Sequence, residues 1–523
     1  MRETPQWMVH EEELASRREY ADDSSSGRVQ VIFTAPSGKQ RSVDGFWDGG
    51  RTWRARFMPD EVGEWHWRSE CDDTADSGLH ARSGAFQCVP GRGGNPLLQH
   101  GAIRVARNGR HFEHADGTPF LWLGDTCWNG LIRATAPHWE RYLTARRDQG
   151  FTAIYFFTAH WRGLEHDPFG DTAFTGDDPI RINPQYFQRL DPKLAAINQH
   201  GLLATAIIVL ALLDSDHGWR LPEQEVVRFC RYVVARWGAY HMIWTLGGDG
   251  DFRGERSERW RRIGRAVFDR EHGPATMHPC GVNLCADEFR DEPWFDFISY
   301  QSCHSDSLDD MRWFITEPAA EWLKPPPRPI INFEPNYEDH PAYDTKRPFN
   351  DHDVRRAAYW SLLISPTAGV SYGNHNVWPW PTEVEDMSKA IPGADWRALG
   401  PWTKGLDTPG TRSITVLRKL FDSGKWWRLR PAPALLAKQA GGEDPRRFIA
   451  AAATESADWC IVYTPAGGTI TLRTGKLARP AAARWFDPRR GEWQDAGSIE
   501  GEEQTFNTPD AQDWVLDIRA SGP

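Results

Sequence analysis

Apolar and polar residues alternate from about Gly27 to Pro90. Val29, Val31 and Phe33 alternate with Arg28, Gln30 and Ile32; Trp53, Ala55 and Phe57 enclose Arg54 and Arg56; Trp65 and Trp67 flank His66. A period of two is that of a strand with one face buried. Turn signals at Ser37-Gly38, Asp48-Gly49-Gly50 and Glu61-Val62-Gly63 separate these runs. The pattern predicts a small antiparallel β-sandwich over residues 1–90. Roughly 65 patterned residues bury little surface alone, so this unit is expected to dock on its neighbour.

Beyond the linker Gly91-Arg92-Gly93-Gly94-Asn95-Pro96 the period changes. Short apolar runs at Phe120–Leu123, Ala153–Thr158, Leu203–Val209, Met242–Leu246, Ala275–His278, Phe295–Ser302, Pro329–Phe333 and Gly369–Tyr372 predict strands. Helical periodicity lies between them. It is clearest from Pro222 to Trp237, where Val226, Phe229, Cys230, Val233, Val234 and Trp237 share one face and Gly238 follows. Further helices are expected near 138–149, 187–200, 257–270, 308–322, 353–364 and 411–421. Eight strand–helix units predict an α/β fold, a (β/α)8 TIM barrel over 95–430. Gly247-Gly248-Asp249-Gly250 lacks the spacing of a dinucleotide fingerprint, so no nucleotide cofactor is expected. After Arg430-Pro431-Ala432-Pro433, alternating runs at Phe448–Ala452, Trp459–Thr464, Thr469–Leu472, Ala482–Phe486 and Trp514–Ile518 predict a second small β-sandwich over 431–523.

Charge narrows the partners. The formal net charge is −11, with no dense Lys/Arg stripe, which argues against nucleic acid. No apolar run reaches the ~20 residues that span a bilayer. The N-terminus, Met1-Arg2-Glu3-Thr4-Pro5, has no signal-peptide apolar region. As written it points to a cytoplasmic protein, or to an exported one if a leader precedes it. The eight cysteines lack zinc-site spacing and read as free thiols; export would allow Cys71 to pair with Cys88. The 27 tryptophans are core filler or flat platforms for the C–H faces of sugars. Nothing in the sequence sets an oligomeric state.

Polar and aromatic residues gather just after the expected strands, on the rim where such barrels carry their chemistry. Asp125 and Trp128 follow the first strand, His160 and Trp161 the second, Asp214 and Asp216 the third, and Asp249 the fourth. Gln301 and His304 follow the sixth, Glu334 and Tyr337 the seventh, and Asn374, His375, Trp378 and Trp380 the eighth. Glycoside cleavage needs one carboxyl group to protonate the leaving oxygen and another to attack, or to activate water. Asp249 and Glu334, across the barrel mouth from each other, fit that requirement at the ~5 Å separation of retaining enzymes. Glu334 is expected to be the nucleophile and Asp249 the acid/base, with a raised pKa beside Gly247 and Gly248. The other rim residues are expected to bind a carbohydrate, with no metal or cofactor.

The segments Phe120-Leu121-Trp122-Leu123-Gly124-Asp125-Thr126-Cys127-Trp128, Trp244 to Asp249, Tyr300 to His304, Phe333 to Glu338 and Tyr372 to Trp378 resemble the apiosidase-like barrel of glycoside hydrolase family 140. Gly63-Glu64-Trp65-His66-Trp67 resembles the Trp-rich module that precedes such barrels, and Trp485 to Trp493 the collagen-binding-like sandwich that follows them. The resemblance implies a retaining, exo-acting glycosidase with Asp249 and Glu334 as its pair, and the removal of apiose from pectic side chains. The sequence departs from the family in placing Asn374 before His375, where two histidines are usual. Asp249 also stands where the wider superfamily has Glu, a shorter reach that suits a furanoside.

Two other functions compete. A metal-dependent barrel hydrolase would use His160, His304, His375 and an Asp as ligands. A non-catalytic carbohydrate-binding scaffold would hold a glycan on the rim aromatics without cleaving it.

Overall fold

The computed structural model describes residues 1–20, 28–91, 93–366, 368–385 and 400–520; Gly27, Arg92 and the last three residues, which touch the boundaries expected from sequence, lie outside them. The expected barrel is formed by eight parallel strands: Trp122–Thr126, Ala153–Phe157, Leu203–Leu210, Met242–Gly250, Ala275–Pro279, Ile298–Gln301, Ile330–Glu334 and Gly369–Gly373. Neighbours in sequence are neighbours in the sheet, and the eighth strand pairs with both the first and the seventh. The ladder is interrupted only between the fifth and sixth strands. There, side chains replace much of the backbone pairing. Thr276 Oγ1 donates to Phe297 O at 2.7 Å, Ser299 Oγ donates to Met277 O, and Asp296 Oδ2 accepts from Ala275 N at 2.9 Å.

Both faces of each strand are covered, which is why these segments read as continuous apolar runs rather than alternating ones. Inward residues such as Trp122, Tyr155, Ile207, Ile243, Ile331 and Phe333 fill the barrel. Their outward neighbours, including Leu123, Ile154, Phe156, Ala206 and Trp244, pack under the helices. The helices run Ala136–Asp148, Pro184–Gln199, Glu223–Trp237, Glu255–Val267, Leu308–Trp322, Asp351–Ile364 and Pro409–Asp422. Thr135, Asn183, Ser307, Asn350 and Thr408 each accept a backbone N–H of the following first turn, which sets where five of these helices begin.

Phe120, expected in the first barrel strand, belongs to a small sheet with Phe112–His114 and Ile103–Val105. The fourth strand runs past Leu246 to Gly250, with register shifts against the fifth between Thr245 and Gly248 and between Gly248 and Gly250.

The N-terminal sandwich packs a five-stranded sheet on a three-stranded one around Val31, Phe33, Phe57, Trp65 and Phe86. It docks on the barrel, as its size requires. Arg56 donates to Arg236 O at 2.9 Å and to Asp191 Oδ2 at 2.6 Å, while Arg236 reaches back to Asp48 at 2.8 Å. At the other end lie a six-stranded sheet and the pair Thr469–Arg473 and Glu503–Asn507. The helix Asp351–Ile364 is sandwiched between barrel and sheet. Its Arg355 forms a two-pronged ion pair with buried Asp513 at 2.9 and 3.1 Å, and its Tyr359 stacks on Tyr463 with ring centres 4.6 Å apart.

None of the eight cysteines is in a disulfide, Cys71 and Cys88 included. Among the described residues no helix is long and apolar enough to cross a membrane. Twenty of the 26 tryptophans among the described residues are buried, so most serve the cores.

Candidate active site

Glu334 ends the seventh barrel strand at 3% exposure. His304 Nε2 lies 2.9 Å from its Oε1, and His278 Nε2 lies 3.4 Å from its Oε2. Burial alone would raise the carboxyl pKa. Hydrogen bonds from His278 and His304, with their electrostatic attraction, outweigh it and hold the group below the ordinary glutamate value. Behind His278, Tyr155 Oη sits 2.5 Å from Nδ1. A hydroxyl donating there leaves the imidazole proton on Nε2, facing Glu334.

Asp249 occupies the bulged end of the fourth strand, with φ +57°, a conformation uncommon outside glycine. The bulge re-aims its side chain toward the mouth. Burial raises its pKa well above the usual carboxylate value, and the charges of Glu334 and Asp216 add to the rise, while Arg162 opposes it. Arg162 is itself held by Asp216 at 2.5 Å. Carboxylate oxygens of Asp249 and Glu334 and a ring nitrogen of His278 all lie within 4.8 Å of one another. The two carboxyl groups are thus close together and pushed in opposite directions, one toward the acid form and one toward the carboxylate.

The flanking glycines answer to packing. A Cβ on Gly247 would stand 2.9 Å from the Trp260 ring, and one on Gly248 would stand 2.4 Å from Ile207 Cγ2. They let the bulged strand fit between its neighbours.

Aromatic residues line two sides. Trp128 packs edge-on against Trp378 at 5.2 Å and Trp161 at 6.0 Å, and Trp161 is anchored by its Nε1 donating to Asn129 Oδ1 at 2.8 Å. Opposite, Tyr337 and His340 lie against His304 at 4.4 and 4.2 Å, and His375 meets His340 edge-on at 4.7 Å. Burial lowers the pKa of His375 to about 3. Gly373 is required beneath Tyr337, because a Cβ there would fall 2.2 Å from its ring. Gln301 is buried at the end of the sixth strand, in register with Glu334.

Several residues expected at the cavity stand elsewhere, among them Trp380, which stacks on Trp402 at 4.4 Å in the layer outside the strands. Asp125 has the outward parity of Leu121 and Leu123; it accepts from Arg146 Nε at 2.6 Å and from Tyr142 Oη, with Asp125 and Arg146 both fully buried under the helix Ala136–Asp148. Asn374 braces the rim loops, donating to Asp339 Oδ2 at 3.0 Å and accepting from Asn376 N at 2.9 Å. His160 packs against Phe174 and His217 at 5.0 and 4.6 Å, in the layer outside the second strand. The metal ligand set of His160, His304 and His375 is not assembled. The metal-capable trio that converges, Asp249, His278 and Glu334, contains none of the three.

Sequence reasoning missed His278, Tyr155 and Tyr343. His278 is in the fifth strand, the one strand to which no rim residue was assigned, and the positional rule applied to the other seven would have found it. Tyr155 lies inside the barrel below the rim and leaves no such signal. Tyr343 sits far along the loop after the seventh strand. Its backbone N–H donates to His304 O at 2.8 Å, and the residue is 44% exposed. Glu338 is the other glutamate on this loop, and it is fully engaged: Tyr372 Oη and Thr408 Oγ1 donate to Oε2 at 2.6 and 2.5 Å, and Gly410 N to Oε1 at 2.9 Å. It anchors the loop and leaves Glu334 as the carboxylate facing Asp249.

Comparison with known proteins identifies the class: the barrel is that of a glycosidase. The chain belongs to the apiosidase-like family, whose catalytic-domain profile matches residues 106–428. Residues 3–72 match a domain of unknown function designated DUF5060, and residues 431–518 match one described as "Putative collagen-binding domain of a collagenase". No individually curated protein matches the chain. Among solved structures, a glycoside hydrolase family 5 protein from Bacteroides vulgatus superposes with TM-score 0.71 at 23% identity, covering 82% of this chain and 94% of its own. A second Bacteroides vulgatus protein, described as a "putative glycoside hydrolase", covers all of both chains with TM-score 0.69 at 16% identity. At these identities the likeness is one of fold.

Proposed function

We propose that the protein is a retaining, exo-acting glycosidase of furanosides, apiosides among them, in which Glu334 attacks the anomeric carbon and Asp249 protonates the leaving oxygen. The single observation that carries this reading is the carboxyl pair: oxygens within 4.8 Å of each other, one group stabilised as the anion and the other as the acid. Retaining glycosidases hold their carboxyl groups about 5–5.5 Å apart, and inverting ones leave roughly 6.5–9.5 Å for a water. After leaving-group departure Asp249 becomes the base that activates water against the glycosyl ester on Glu334. Trp128, Trp161 and Trp378 offer apolar surface to one face of the sugar, while Gln301, His304, Tyr337 and His375 lie across from them. Asp125, His160 and Asn374 are assigned to the scaffold. The short side chain of Asp249, carried inward by its bulge, suits a compact five-membered ring.

The test is hydrolysis of aryl furanosides and pyranosides, β-apioside and arabinofuranosides included, by the parent protein and by Glu334→Ala with and without azide. The expected result is turnover abolished in the variant and restored by azide as a glycosyl azide of inverted configuration. Turnover indifferent to Glu334 would overturn it outright, and turnover lost in chelator and recovered with zinc or manganese would overturn it in favour of a cation held by Asp249, His278 and Glu334. No turnover of any substrate, with sugar binding unchanged in Glu334→Gln and Asp249→Asn, would favour the binding scaffold.

A further inference from the structure

A cleft of about 490 Å³ lies at the opposite end of the barrel from the carboxyl pair, between the N-terminal sandwich and the segments that lead into the fourth and fifth strands. Its size falls within the ~300–1,000 Å³ range of small-molecule sites. Its lining is not that of a dry packing defect. Asp60 Oδ1 and His241 Nδ1 belong to residues around it, are buried, and have no hydrogen-bond partner, while buried Arg41 Nε and Arg270 Nε make only ion-pair contacts, with Glu271 at 3.6 Å and Asp44 at 3.2 Å. His241 is 4% exposed, and its other nitrogen, Nε2, is satisfied by Trp7 O at 2.9 Å. Buried polar atoms are normally partnered, so an unpartnered carboxylate oxygen and an unpartnered ring nitrogen around one cleft call for an occupant that donates and accepts hydrogen bonds.

The charges fix what kind of occupant. Six Lys/Arg and four Asp/Glu line the cleft, and ion pairs occupy five of the six cations: Asp44 holds Arg231 at 2.8 Å and Arg270 at 3.2 Å, Arg41 is paired with Asp60, and Arg56 and Arg104 are held from outside the cleft by Asp191 at 2.6 Å and Glu113 at 2.9 Å. Neither an anion nor a cation is favoured. Aromatic surface completes the lining through half-buried Trp7 and Tyr240. Trp7 is held at φ +65°, a costly backbone conformation for a bulky residue. Its amide donates to Pro59 O at 2.9 Å, and its indole lies so close over Gly101 that a Cβ there would be 2.7 Å away. An aromatic pair beside alternating donors and acceptors matches a neutral polyhydroxylated ring, with apolar C–H faces and hydroxyl edges.

We propose that this cleft is a second, non-catalytic saccharide site, built jointly by the N-terminal sandwich and the base of the barrel. Its test is saturation-transfer NMR on the full chain with methyl β-D-xylopyranoside, methyl β-D-galactopyranoside and methyl α-L-arabinofuranoside as probes. The parent protein is compared with Tyr240→Ala and with Lys39→Trp, the latter an exposed turn substitution that narrows the cleft without touching a core. The expected result is transfer to at least one probe that falls two-fold or more in both variants, while hydrolysis of aryl glycosides is unchanged. Transfer equal in parent and variants means that sugar binds at the barrel mouth alone, and transfer to none of the probes means that the cleft holds only water; either overturns the proposal. Should Tyr240→Ala fail to fold, Lys39→Trp alone decides.

Discussion

The hydrogen bond from His304 to Glu334 makes the acid limb of the pH profile a direct readout of the site. Glu334 must be ionised to attack, so turnover falls as pH drops through its depressed pKa. Asp249 must be protonated to donate, so turnover falls as pH rises through its raised pKa. His304→Phe keeps a ring between Tyr337 and His340, which pack on His304 at 4.4 and 4.2 Å, and deletes the 2.9 Å contact to Glu334 Oε1. A hydrogen bond to a charged group is worth about 1.5–3 kcal/mol, and one pKa unit corresponds to about 1.36 kcal/mol. The Glu334 pKa should therefore rise by about one to two units, with His278 Nε2 at 3.4 Å the remaining imidazole neighbour. The basic limb should stay in place, because Glu334 is ionised there in both proteins and its charge still acts on Asp249. The assay is kcat/KM for an aryl glycoside across the pH range in which parent and variant stay folded. An unmoved acid limb, or a shift of the basic limb instead, would refute the assignment of roles.

Asp249→Asn should lower kcat/KM by about 10²–10⁴-fold for substrates with poor leaving groups and far less for a dinitrophenyl glycoside, since only the former need the proton; equal losses would remove Asp249 from the acid role. Arg146→Met should destabilise the fold by about 3–5 kcal/mol in denaturant titration by leaving Asp125 buried and unpaired, while kcat per folded molecule changes little. A selective loss of kcat there would return Asp125 to the active site.

Much of the barrel was legible because its strands are buried on both faces and its helices on one, so the two periods stand out. Boundaries failed where backbone geometry departs from a regular strand. Gly247, Gly248 and Gly250 looked like a loop, but they are the bulged continuation of the fourth strand, needed because Ile207, Trp260 and Phe252 press against them. The rule of counting residues just past a strand end brought Asp249, His304, Glu334 and Tyr337 to one place, yet it cannot tell an inward side chain from an outward one. Asp125 shows the cost: one step of parity turns a rim carboxylate into a helix anchor. Tyr155, which supports His278 from within the barrel, lies at a position that in sequence is indistinguishable from core packing.

The helix Asp351–Ile364, buried between barrel and C-terminal sheet, bears on how such chains can be recombined. A gene encoding the barrel alone would end before Asp513 and leave the Arg355 guanidinium in an apolar surface, with the Tyr359 ring uncovered beside it. A different sheet grafted onto this barrel should therefore restore its stability when it brings an acidic residue and an aromatic face to the same two places, and leave it destabilised when it does not.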